Sequence, residues 1–236
     1  MLKLPDAADE REAWRTLQHW RGRGAVRLLA HADDGAVLLE RALPGHALTD
    51  LVLAGDDDAA MAILCGVAGA LHAAAPPPHD LARVEDWALG FARHRHSGDA
   101  TIPAAQLDRA EQLFAALAAS QGERVLLHGD LHHDNILFDA RRGWLAIDPK
   151  GVLGEPGFEI GAMLRNPTEH ASRFADAAII DRRVAIAVER LGLDRRRVLA
   201  WAFAQAVLSA VWSLEDGFSP TRGLATASAL LPLLSR

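Results

Sequence analysis

Chemistry in this chain gathers in one stretch, His128-Gly129-Asp130-Leu131-His132-His133-Asp134-Asn135, set between the apolar runs Val125-Leu126-Leu127 and Ile136-Leu137-Phe138. Its side chains can bind a metal, move a proton and hold a phosphate. Two β-type runs around a polar loop make a rigid frame that presents such groups. A further acid, Asp148, follows the apolar run Trp144-Leu145-Ala146-Ile147. Strands 135–138 and 144–147 are expected to fold as an antiparallel hairpin around Asp139-Ala140-Arg141-Arg142-Gly143. Pairing Phe138 with Trp144 and counting back sets Asn135 opposite Ile147, so Asn135 and Asp148 meet at the open end. An amide oxygen beside a carboxylate suits Mg²⁺, which completes its shell from waters and substrate phosphates. Asp130 lies within reach of that pair without being needed as a ligand, and a free carboxylate there accepts a proton from an attacking hydroxyl. The spacing points to phosphoryl transfer. His128, His132 and His133 also allow a zinc site of a metallohydrolase, although no convergent carboxylate or second shell accompanies them.

The elements that must position these groups follow from periodicity. Residues 1–4 read as the end of a strand and residues 6–20 as a helix with Ala13, Leu17 and Trp20 on one stripe. Residues 25–30 and 36–40 form a hairpin around His31-Ala32-Asp33-Asp34-Gly35. Residues 41–46 break the pattern, and helices are expected from there to Val125, over 59–75, 84–96 and 103–120. Asp56-Asp57-Asp58 reads as the cap and dipole partner of the first of these, and His94 and His96 as solvated residues at a helix end. Residues 152–157 read as loop and 158–165 as a short helix stopped by Asn166-Pro167. Helices over 176–191, 194–211 and 221–234 complete the chain.

Composition narrows the partners. At 236 residues and half hydrophobic, the chain can build one large domain or two small lobes. A net charge of −6 argues against nucleic acid and suits a small cationic substrate. Cys65 is the single cysteine, so no internal disulfide forms, and its apolar setting makes it a small core residue. The first twenty residues lack the basic-then-apolar pattern of a signal peptide, and no run reads as long enough to span a bilayer. A cytoplasmic protein with no membrane partner is expected.

His128-Gly129-Asp130, four residues, Asn135, and then Asp148 after a hairpin resembles the catalytic loop and metal-binding aspartate of protein-kinase-like phosphotransferases. Glycine at 129 resembles the aminoglycoside phosphotransferases. More narrowly, Gly24-Ala25-Val26-Arg27-Leu28-Leu29, Leu127 to Leu137, Ile147-Asp148-Pro149-Lys150-Gly151 and Gly161-Ala162-Met163-Leu164-Arg165-Asn166-Pro167 are similar to the aminoglycoside 6-phosphotransferase family of streptomycin 6-kinases and hydroxyurea phosphotransferases. The resemblance implies an α+β, protein-kinase-like fold of two lobes. Residues 1–40 would be a partial small lobe, 41–47 the hinge, and 48–236 a helical large lobe carrying the catalytic loop and metal-binding hairpin. It implies Asp130 as catalytic base, His128 as brace of the loop, and Asn135 and Asp148 as ligands of Mg²⁺ against the phosphates of ATP. Lys3 would grip the α- and β-phosphates with Glu12, or failing it Glu10, as helix partner, and the backbone from Glu40 to Ala42 would meet adenine. Glu155, Glu159, Asp176, Glu215 and Asp216 are acids available to a cationic aminoglycoside acceptor. The chain departs from the pattern at its start. Only two residues precede Lys3 and Gly22-Arg23-Gly24 follows the helix, so the small lobe is expected to lack its first two strands and glycine-rich loop. The implied function is ATP-dependent phosphorylation of an aminoglycoside such as streptomycin. The alternative is a non-catalytic kinase-like module that binds a small cationic ligand.

Overall fold

A computed structural model of the chain describes residues 1–4, 13–74, 81–167 and 170–235. Strands β1 (Leu2–Lys3), β2 (Leu28–His31) and β3 (Val37–Leu39) form an antiparallel sheet in the order β1-β3-β2. Val37 and Leu39 face inward and Leu38 faces solvent, the alternation that a half-buried strand requires. Helix α1 (Ala13–Trp20) buries Leu17 and Trp20, the latter stacked on the His128 ring with centroids 6.2 Å apart. Residues 5–12, and with them Glu10, Glu12 and the start of the expected helix, lie outside the described residues.

The rest is mainly helical. In chain order it comprises β4 (Pro44–Ala47), α2 (Thr49–Leu53), α3 (Asp57–His72), α4 (Val84–Trp87), α5 (Leu89–Ser97), α6 (Ala104–Ala119), β5 (Val125–Leu127), β6 (Ile136–Asp139), β7 (Gly143–Ala146) and β8 (Val152–Gly154). Helices α7 (Ile160–Leu164), α8 (Ala171–Phe174), α9 (Ala177–Leu191), α10 (Arg195–Glu215) and α11 (Thr221–Leu234) follow. One small sheet runs β4-β6-β7 and another pairs β5 with β8. The β6–β7 hairpin keeps the expected register, with Phe138 opposite Trp144 and the Ile147 N–H donating to the Asn135 carbonyl at 2.9 Å. Residues 24–26 lie along the same hairpin, where the Val26 N–H donates to the Ala146 carbonyl at 3.0 Å and the Ala146 N–H to that of Gly24 at 2.8 Å. Arg142, in its turn, donates to the carbonyls of Gly22 and Ala25 and to the Glu40 carboxylate. The segment 22–26 and Glu40 are thus fastened to the hairpin that follows Asn135.

Several expectations need correction. Residues 44–47 and 152–154 are strands, not break and loop, because each finds a partner far along the chain in β6 or β5. Asp56 makes no side-chain cap. Asp57 is buried and accepts from Arg183 at 2.5 Å, while Asp58 pairs with Arg182, because a buried guanidinium needs a counter-charge. His94 is buried, on the α5 face that carries Phe91. Helix α10 does reach spanning length and composition, but 78% of its apolar window is buried inside the fold. It is the core helix, where Trp201 meets Phe114 and Phe158 edge-on at 5.1 Å.

Candidate active site

Strand β5 ends at the loop in which the chemistry gathers, and buried groups fix that loop from beneath. The peptide N–H groups of His128 and Gly129 donate to the two carboxylate oxygens of Glu159, at 2.7 and 3.0 Å. Glu159 is only 1% exposed, so its charge depends on these bonds. His128 Nε2 donates to the Ile147 carbonyl at 2.7 Å and Nδ1 accepts from the Asp130 N–H at 3.3 Å, which fixes a neutral ring. Burial lowers its pKa in the same sense. Gly129 has φ +85, and a Cβ there would lie 3.0 Å from the Trp87 ring and 3.2 Å from Lys150 Cβ, so a side chain would be both strained and crowded. The His128 carbonyl accepts from the N–H groups of Lys150 and Gly151, which joins the loop to the segment after Asp148.

Asp130 lies half-buried above this base. One carboxylate oxygen is 3.5 Å from His132 Nε2 and the other 3.6 Å from Arg165 Nη2. Burial works against its charge, but the His132 bond and the charges of His132 and Arg165 outweigh it and hold the carboxyl well below the usual range. His132 answers in kind: burial opposes its proton, and bonds to Asp130 and Asp134 raise its pKa. The Asn135 Nδ2 donates to the Asp130 carbonyl at 2.9 Å, which leaves the amide oxygen without a hydrogen bond among the described residues. Asp148 adopts φ 56, a left-handed conformation uncommon outside glycine, and its carboxylate is 3.2 Å from Lys3 Nζ. Lys3, from the small sheet, therefore meets the acid that follows the hairpin.

The remaining expected positions divide. Glu40 donates its N–H to the Arg27 carbonyl and accepts the Arg27 N–H on its carboxylate, so it closes the small hairpin, with Ala42 buried two residues on. Glu155 is taken by Arg197 and Trp201, Glu159 by the loop, and Asp176 by the N-terminus of α9. Glu215 and Asp216 line a cavity of about 700 Å³ with Asp130, Trp87, Trp212 and Arg165, and there Glu215 accepts from Arg93 on both oxygens, at 2.8 and 3.1 Å. A larger cavity, about 1030 Å³, opens between α1 and β2 and contains none of these groups. A zinc set is not assembled, because His128 has committed both ring nitrogens, and no metal-binding group of three occurs among the described residues. Sequence reasoning gives Glu159 another role, as an acceptor acid, and gives Arg165 none. Glu159 supports the loop, and its signal was a carboxylate inside the apolar run Phe158-Glu159-Ile160. Arg165, after Met163-Leu164, is the guanidinium beside Asp130.

Comparison with known proteins adds to this geometry. Residues 1–217 match the family described as aminoglycoside/hydroxyurea antibiotic resistance kinase. The chain is 40% identical over 222 residues to a streptomycin 3''-kinase of Klebsiella pneumoniae, covering 92% of this chain and 80% of that protein. It is 34% identical over 209 residues to a streptomycin 6-kinase of Streptomyces griseus, covering 86% of this chain and 66% of that one. Among solved structures, a choline/ethanolamine kinase family protein from Mesorhizobium loti superposes with a TM-score of 0.70 at 17% identity, over 99% of this chain and 83% of that one.

Proposed function

This chain belongs to the aminoglycoside/hydroxyurea antibiotic resistance kinases, and we propose that it transfers the γ-phosphate of ATP to a hydroxyl of an aminoglycoside such as streptomycin. Asp130 accepts the proton of that hydroxyl as it attacks. Its strongly depressed pKa makes it a weak base, suited to orienting the hydroxyl and taking the proton late, once phosphoryl transfer has made it acidic. His128 keeps the loop in register from below. The Asn135 amide oxygen and the Asp148 carboxylate are hard donors of the kind Mg²⁺ takes, and the ion, when bound, neutralises charge on the ATP phosphates. Lys3, paired with Asp148, is placed to turn to the α- and β-phosphates. The backbone from Glu40 to Ala42 meets the adenine, within a division into small lobe 1–40, hinge 41–47 and large lobe 48–236.

The observation that carries this reading is a half-buried carboxylate at the wall of a cavity, 3.5 Å from His132 and 3.6 Å from Arg165, on the loop that leads into the β6–β7 hairpin. In that cavity the rings of Trp87 and Trp212 and the acid Asp216 suit a cationic acceptor, while Glu215 is paired with Arg93. The two kinases compared above are named for different positions on streptomycin, so the regiochemistry is decided by the product. ADP release with a panel of aminoglycosides, followed by phosphorus NMR of the product, tests the proposal. Acceptor-dependent ADP formation supports it, and ligand binding indifferent to ATP and Mg²⁺ overturns it. A supply of ATP places the reaction in the cytoplasm.

A further inference from the structure

We propose that Arg165 is a positioning residue for this phosphoryl transfer: its buried guanidinium, anchored by Gln205, fixes the Asp130 carboxylate and offsets its charge as the anionic phosphoryl group approaches. The inference rests on Asp130 being the base. Arg165 ends α7 and its side chain is only 7% exposed, yet it lines the same cavity as Asp130. Its Nη1 donates to Gln205 Oε1 at 2.9 Å while Nη2 lies 3.6 Å from Asp130 Oδ1. Gln205 is itself held, because its Nε2 donates to the Phe158 carbonyl at 2.6 Å. A Cβ at Gly161 would come within 2.2 Å of Gln205 Oε1, so glycine there makes room for the anchor. A planar fork addresses Gln205 and Asp130 at once in a fixed geometry, which a point-like ammonium on a flexible stem does not reproduce.

The setting is an unfavourable one for a structural arginine. Burying a guanidinium costs free energy unless it is closely paired, and among the described residues this one has a single carboxylate, at 3.6 Å, and a second cation, Arg222, lining the same cavity. A charge kept in such a place is explained by what approaches it. Two anions must come together in the reaction, the Asp130 carboxylate and the transferred phosphoryl, and a fixed cation beside the first reduces their repulsion. His132 also faces Asp130, but its charge depends on pH and that of an arginine does not.

The test compares the full chain with Arg165→Ala, Arg165→Lys and Gln205→Leu in steady-state assays with ATP and streptomycin, alongside melting curves. Arg165→Ala is expected to lower kcat by about 100-fold, with both KM values within about twofold and the fold intact. Guanidinium ion added to Arg165→Ala is expected to restore at least part of the loss, whereas tetramethylammonium is not. Arg165→Lys and Gln205→Leu should fall between. A loss carried wholly by acceptor KM, or an unchanged kcat, overturns the inference. A second readout does not depend on turnover: crystal structures of the parent and Arg165→Met should show the Asp130 carboxylate displaced in the variant. The same rotamer in both overturns the inference, and a parent that phosphorylates no acceptor overturns the functional reading instead.

Discussion

The loop between β5 and β6 and the small sheet β1-β3-β2 bring chemistry to the same place by different physical means. At the loop, His128 and, from either end of α7, Glu159 and Arg165 are buried, and each is hydrogen-bonded to a neighbour. On the small sheet, Lys3 reaches Asp148 through a partly exposed ion pair, from a strand whose Leu2 is 68% exposed. Low-dielectric partners hold the acid and its supports within narrow limits, whereas a partly solvated pair contributes little and rearranges easily. On the proposed reading, geometry for the attacking hydroxyl is therefore built in, and the grip on the nucleotide is left adjustable.

Four changes sharpen or break that contrast. The largest effect is expected from Asp130→Asn, which keeps the shape and removes the base: kcat should fall about 10³-fold with an unchanged melting temperature, and a loss below tenfold would put the base elsewhere. Asp57→Asn should follow, since it breaks the buried pair with Arg183, and urea titration near neutral pH should give a loss of about 3 kcal/mol. Burial works against the Asp57 charge, yet the bonds and charge of Arg183 hold its pKa below the ordinary 3.8. The unfolded chain therefore takes up that proton first. The stability is present above about pH 4 and lost as pH falls below it, so parent and Asp57→Asn should converge in acid. Glu159→Gln leaves one acceptor for two loop N–H groups, and calorimetry should register a loss of about 2 kcal/mol together with reduced kcat. Lys3→Met is expected to do least, raising KM for ATP about tenfold with acceptor KM unchanged. A larger effect for Lys3→Met than for Glu159→Gln on kcat would invert the contrast.

Legibility followed the range of the interactions. The hairpin register, the placement of Asn135 before Ile147 and the major helices rest on neighbours a few residues apart, so periodicity and one pairing rule were enough. Strands β4 and β8 were hidden because their partners lie far along the chain, and Pro44-Gly45 carries turn chemistry whatever it later pairs with. Asp57 looked like a cap because its partner, Arg183, lies 126 residues away. Glu159 and Arg165 were misread or passed over for the same reason. A charged residue in a short apolar helix announces burial, but only the fold says which group it serves.

The most direct measurement is the mass of the acceptor after the full chain has been incubated with streptomycin, ATP and Mg²⁺. The account predicts streptomycin heavier by one phosphoryl group with the parent and unmodified antibiotic with Asp130→Asn. Unmodified streptomycin from a folded parent, or equal product from both, would contradict it.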